Sequence, residues 1–435
     1  MSPLETGVAG LVAILALLAL RVPVGLALGA VSFLGMWKIN GLATAAGTIA
    51  ILPYDFIAHW ALSAVPMFLL MGAIVYYSGL TSSLFRAARL WLAGLPGGLA
   101  VATNMTCAAF AAASGSSLAT ASAMAKIATP EMLRYRYDPG LATGVVASGG
   151  TLGSLIPPSI LFVLYGIFAE ESVSALLIAG IFPGLLTAAA YTVMIVLRCK
   201  LNPSLAPPIA ERVSWSDKFS ALRDIWPFPL LIIGVIGGIY SGVTTVTEAG
   251  AFGALLAFVI ALAMGKSSFG NMRAAILEAV SGTANIFFIA AGAIMLTRFL
   301  ILTGLPFALS DLVSAYSHSR WTVLAFTTVI YLVLGSFLDP VGIMLLTLPM
   351  LLPMFHAFNM DGIWMGVLVV KFLEIGLLTP PVGLNVFAVR TAVDVPLEII
   401  FKGVGWFLVC EIFIVLSLMI WPEISLFLPN LAKTR

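Results

Sequence analysis

The chain has 435 residues, of which 61% are hydrophobic and only 9% charged; a soluble domain carries roughly a quarter charged residues. So few charges cannot clothe a water-exposed surface, which excludes soluble enzymes, nucleic-acid binders and disordered regulators. Lys plus Arg number 21 against 19 Asp plus Glu, so no global charge draws nucleic acid, and the chain reads as an all-α multi-pass membrane protein.

In chain order, apolar runs long enough to cross a bilayer fall at 4–20, 22–38, 62–80, 97–125, 139–168, 171–197, 225–243, 245–265, 276–303, 320–357, 362–393 and 403–421, about ten to twelve membrane segments. The first run lacks a basic n-region and continues through Arg21 into the second, which predicts a retained helix and not a cleaved signal. Stretches 41–60 and 81–95 alternate apolar and polar residues at helical spacing, with Trp60, Trp91, Arg86 and Arg89 as anchors, and are expected to lie along the membrane surface. Pro157-Pro158 interrupts 139–168 and Pro380-Pro381 interrupts 362–393. Such pairs remove backbone donors and disfavour helix just before them, so both segments are broken helices. Cys107, Cys199 and Cys410 have no metal or pairing spacing and read as embedded fillers, and His59, His318 and His356 as interfacial residues.

Cationic loops mark the cytoplasmic side. The loop 198–224 carries Arg198, Lys200, Arg212, Lys218 and Arg223, and 81–96 and 126–138 are also basic. This bookkeeping puts the N-terminus outside and both flanks of 97–125 inside, so that segment must enter and return. It holds Ser114-Gly115-Ser116-Ser117 near its middle, the tip of a re-entrant helical hairpin set in a protein-lined or watery cavity. Segment 320–357 becomes a second hairpin, entering from the outside. Landmarks recur in order: Gly115 and Gly335 stand 220 residues apart, Pro130 and Pro349 219, the two Pro-Pro pairs 223, and Gly94-Leu95-Pro96 and Gly304-Leu305-Pro306 210. An inverted-topology repeat follows, with halves 1–200 and 225–435 joined by a cytoplasmic linker, 201–224. Interrupted segments at matching places of inverted halves point to a transporter's midplane site.

The chain resembles the large membrane subunit of TRAP (tripartite ATP-independent periplasmic) transporters. The likeness lies in VPMFLLMGAIVYYSGL at 65–80, AAASGSSLAT at 111–120, ASGGTLGSLIPPS at 147–159, LGSFLDPVGIMLLTLP at 334–349 and GLLTPPVGLN at 376–385. It implies an inner-membrane secondary transporter with an elevator mechanism. A sodium gradient would drive it, and a periplasmic binding protein would deliver an organic acid such as sialic acid or a C4-dicarboxylate. A small membrane subunit is the implied partner, and no cofactor beyond the coupling Na+ is expected.

Sodium wants oxygen ligands, which unwound backbone and half-helix C-termini provide, while half-helix N-termini suit a carboxylate. The resemblance places a first sodium site at Ser114, Gly115, Ser116 and Ser117 against Gly150, Thr151 and Gly153. A second falls at Gly335 and Ser336 against Gly376 and Thr379, with Asp339 either tuning the ion or capping a helix. Ser154, Pro157, Ser159, Pro380 and Asn385 are the candidates for the organic acid. Ser122, Ser148 and Thr120 read more simply as packing residues. Among intramembrane charges, Lys371 and Glu374 could pair along one helix, and Arg298 could meet a carboxylate or snorkel to the surface. Glu248, Glu278 and Glu411 read as structural groups near interfaces. The runner-up is a proton-coupled organic-anion carrier. An intramembrane serine hydrolase lacks a histidine near Gly115-Ser116-Ser117, an aspartic protease lacks a second deep aspartate, and a channel has no need of two opposed hairpins.

Overall fold

The computed structural model describes residues 2–207, 214–316 and 319–433; Arg212 and His318 lie outside them. Helix α1 (Pro3–Ala19) starts from a capping box made by Ser2 and Glu5. It turns at Arg21, φ 64°, into α2 (Val24–Asn40). The two expected surface stretches are α3 (Leu42–Ile57), which buries only Ala45, and the strongly amphipathic α5 (Leu80–Leu92); α4 (Ala64–Tyr77) lies between them.

The first hairpin is α6 (Gly98–Ser114) and α7 (Ser117–Arg134), joined at Gly115-Ser116. Leu99 N donates to the Tyr137 hydroxyl at 3.2 Å, so the start of α6 and the end of α7 meet and the chain does return. The second arm runs to Arg134 rather than stopping near 125, because Pro130 is accommodated within it; Lys126 is therefore helical and not in a loop. Next, α8 (Pro139–Gly150), α9 (Leu152–Leu155) and α10 (Ile160–Phe168) make a stretch bent by 43°. The expected span 171–197 is two helices, α11 (Val173–Ala179) and α12 (Ile181–Leu201). They part at Gly180, where a Cβ would fall 2.5 Å from Leu155 O.

The expected linker contains a helix, α13 (Trp215–Asp224), capped by Ser214. Its Lys218 ammonium sits 4.9 Å from the Trp215 ring and 5.8 Å from the Trp91 ring of α5. Then come α14 (Pro227–Ile232), a π turn at Ile233–Gly237, α15 (Gly238–Tyr240), α16 (Val246–Ala263) and the long α17 (Phe269–Thr303). Helix α18 (Leu305–Tyr316) was not among the expected segments. The second hairpin is α19 (Arg320–Gly335) and α20 (Pro340–Ala357), followed by α21 (Gly362–Gly376), a break, and α22 (Leu384–Ala392). The chain continues through α23 (Leu397–Ile420) and a second unexpected helix, α24 (Glu423–Lys433). Among the described residues there is no strand. Seven helical stretches are long and apolar enough to cross a bilayer, or eight when 139–168 counts as one span. That is fewer than the expected segments because α1, α2, α6 and α19 have 16 or 17 residues, short of about 20.

The helices pack in two groups, and small residues set the crossings. In one group α2 and α17 touch backbone to backbone: a Cβ on Gly292 would lie 2.4 Å from Gly25 O. Helices α4 and α16 close the same group. In the other group α8 meets α23, where Gly140 and Gly144 abut Gly403, and α19 meets α21, where Gly335 abuts Gly376. The Arg89–Glu131 ion pair ties arm α5 to α7.

Candidate functional site

Each hairpin tip is stitched to the broken helix that follows it. Gly115, φ 63°, sits against Pro158, and Ile160 N donates to Gly115 O at 3.3 Å. At the second tip, Val382 N donates to Ser336 O at 3.1 Å. Both Pro-Pro bonds, 157–158 and 380–381, are cis. The first crossing is buried from Pro157 to Ser159, whereas Pro380 and Pro381 are exposed, so the two tips differ in openness.

Of the expected first-site residues, Gly150 and Gly153 lie against the hairpin tip. A Cβ on Gly153 would lie 2.5 Å from Ser116 O, and one on Gly150 3.1 Å from Ser117 O. Ser114 Oγ hydrogen-bonds Thr120 Oγ1 at 2.8 Å, and Thr120 Oγ1 donates to Ser116 O at 2.9 Å. Ser116 caps α7 by accepting from Ala119 N. Thr151 Oγ1 donates to Ser148 O at 2.6 Å and lies by the Tyr191 hydroxyl. In the second group Thr379 Oγ1 donates to Ile375 O and Ser336 Oγ to Val333 O, each at 2.8 Å. Asp339 resolves toward capping: its Oδ1 accepts from Gly342 N at 2.9 Å, opening α20.

The residues considered for the organic acid are mostly spent on structure. Ser159 donates to Ser154 O and caps α10. Asn385 is fully buried, with Nδ2 donating to Ala147 O at 3.1 Å, and so locks α22 to α8. Ser154 Oγ lies 2.8 Å from Ser117 Oγ. A cavity of about 340 Å³ opens instead between hairpin one, α4 and α17. Ser114, Ser116, Ser122 and Lys126 line one side of it, Tyr76, Tyr77 and Glu278 the other. Ser122 and Glu278 thus face the cavity, where sequence reading gave them packing and interfacial roles. Tyr76 and Tyr77, with Lys126, stand out only once α4 and α7 are placed face to face.

The intramembrane charges correct the sequence reading most. Lys371 and Glu374 do not pair with each other. Lys371 Nζ meets Glu411 at 2.7 and 2.8 Å and donates to Thr187 Oγ1 at 3.0 Å, and the Tyr191 hydroxyl donates to Glu411 as well. Glu411 is therefore deep, 1% exposed, and not interfacial. Periodicity shows a residue's face but not its partner on a distant helix, so this cluster had no sequence signal. Glu248 closes a capping box on Thr245, and Arg298 is exposed on α17, consistent with snorkelling. His59 caps the short turn Trp60–Ser63, and His356 lies in the last turn of α20. Cys107 and Cys199 are buried and Cys410 half-buried, all three free.

The model of the tripartite ATP-independent periplasmic transporter DctM component matches residues 11–424. The chain belongs to this family. The permease is 34% identical to the C4-dicarboxylate TRAP transporter large permease DctM of Pseudomonas aeruginosa, covering 88% of this chain and 89% of that one. It is 31% identical to the sialic acid TRAP transporter large permease SiaM of Vibrio cholerae, covering 96% and 97%. Among solved structures it superposes on the YdaH transporter of Alcanivorax borkumensis with a TM-score of 0.61 at 13% identity, over 89% of this chain and 90% of that one. The last likeness shows the fold alone. Membership makes the permease a multi-pass membrane transporter subunit and implies a substrate-binding protein and a small membrane subunit.

Proposed function

We propose that the permease takes up a small organic acid from a periplasmic binding protein across the bacterial inner membrane, driven by sodium entry. The observation that carries this is the matched stitching of Ile160 to Gly115 and of Val382 to Ser336. It supports an inverted repeat with two re-entrant tips, in which each tip sets helix C-terminal carbonyls beside a helix N-terminus at one depth. The carbonyls suit a sodium ion and the N–H ends a carboxylate. The cavity holding Ser116, Ser122, Tyr76, Tyr77 and Lys126 is the place for the acid, since it lies where the hairpin group meets α4 and α17. Its position supports an elevator mechanism: the α6–α12 and α19–α23 group moves against the α1–α4 and α14–α17 group, carrying acid and ion together. Binding of each then favours the other through the shared tip.

Uptake of labelled C4-dicarboxylates, sialic acid and other acids into proteoliposomes, with the binding protein and small subunit present, tests this. Sodium-gradient-driven accumulation is the expected result; accumulation driven equally by a proton gradient alone would favour the proton-coupled reading. Ser116→Ala and Thr379→Val each remove one neutral oxygen, worth about 0.5–1.5 kcal/mol, so half-saturating sodium should rise about two- to tenfold. An unchanged sodium dependence in both variants refutes these site placements.

A further inference from the structure

Glu374 belongs to α21 in the second half of the chain, yet its side chain reaches the first hairpin tip. Ser117 Oγ donates to Glu374 Oε2 at 2.6 Å, and Ser154 Oγ lies 2.8 Å from Ser117 Oγ. The side chain is 1% exposed, and its Oε1 has no hydrogen-bond partner among the described residues. Lys371, three residues earlier on the same helix, is committed to Glu411 and Thr187. Two hydroxyls therefore face the carboxylate, and the nearest ammonium, Lys371, is ion-paired with Glu411 and not with it. A buried carboxylate left without a positive partner is strongly disfavoured. Close by, the Ser116 and Ser117 carbonyls lie against Gly153 and Gly150, which precede Ser154 in the chain order of the broken helix. A carboxylate with a free oxygen, two hydroxyls and two carbonyls at one tip suits a hard cation.

We propose that Glu374 is a ligand of the coupling cation at the first tip, so that one half of the chain supplies the charge and the other half the remaining oxygens. This rests on sodium being the coupled ion. It makes sodium binding in the first half depend on the position of α21, which joins the two halves energetically. The ion neutralises Glu374, and the unloaded site is left carrying a bare carboxylate or a proton.

The test is sodium binding by the purified permease in detergent, read as the rise of its unfolding midpoint with sodium chloride at constant ionic strength in choline chloride. Glu374→Gln keeps shape and the hydrogen bond to Ser117 but removes the charge. Its half-effect sodium concentration should rise at least about tenfold, with Glu374→Asp intermediate. A Gln variant within about twofold of wild type overturns the proposal. Should that variant fail to fold, infrared difference spectra of the wild type decide. A sodium-dependent change in the carboxyl region, either loss of a carboxylic-acid band or a shift of a carboxylate band, supports the proposal, and carboxyl bands unchanged from zero to saturating sodium sink it. A wild type with no sodium response at all takes down the sodium reading with it, whereas a normal wild-type response shared by Glu374→Gln sinks only the role of Glu374.

Discussion

Replacing Lys371 by Met is expected to destabilise the folded permease by about 3–5 kcal/mol, measured by denaturant or thermal unfolding in detergent. Lys371 and Glu411 are each 1% exposed, with the ammonium 2.7 Å from Glu411 Oε2. Removing the lysine leaves the glutamate charge buried, with only the Tyr191 hydroxyl and no cation to meet it. The double change Lys371→Met with Glu411→Leu removes both charges and should recover most of the loss, since a well-packed apolar pair often matches a buried ion pair. A double variant no more stable than the single one would show that the lysine acts by packing alone. The pair ties α21 to α23, and through Thr187 and Tyr191 to α12. Tyr191 and Glu411 stand 220 residues apart, the spacing of Gly115 and Gly335. The cluster thus binds a helix from the first part of the chain to two from the second.

The second large effect is expected at the first tip. Gly115→Ala should reduce uptake at least about tenfold while leaving the protein folded, because two penalties coincide there. Gly115 has φ 63°, where a side chain costs about 1–2 kcal/mol. An added Cβ would also fall 2.7 Å from Pro158 O, pushing the tip off the broken helix and weakening the Ile160 bond. Gly304→Ala separates the two causes: it has φ 69° but nothing within 4 Å of its Cβ position. That variant should be mildly destabilised and transport normally. Equal loss of uptake in both would mean that backbone strain alone, and not the tip contact, is what matters.

Most of the helices and both tips were legible in the chain because their signals are local. Serine and glycine inside an apolar run, and proline pairs inside two others, interrupt a helix whatever surrounds it. The family resemblance set Gly115 against the first broken helix and Gly335 against the second, and in the structure both lie there. Helices α18 and α24 went unseen because a short apolar stretch has the same composition whether it packs, spans or ends a span.

By itself, then, the sequence determined the membrane setting and the interrupted segments, which follow from hydropathy and backbone restriction along the chain. Only the tertiary structure decided which buried groups face each other. Lys371 left its neighbour Glu374 for Glu411, Glu374 reached across to Ser117, and Asn385 locked onto Ala147. In a low-dielectric interior a charge is satisfied by whichever partner the packing brings within about 3 Å. Distance along the chain carries no trace of that choice.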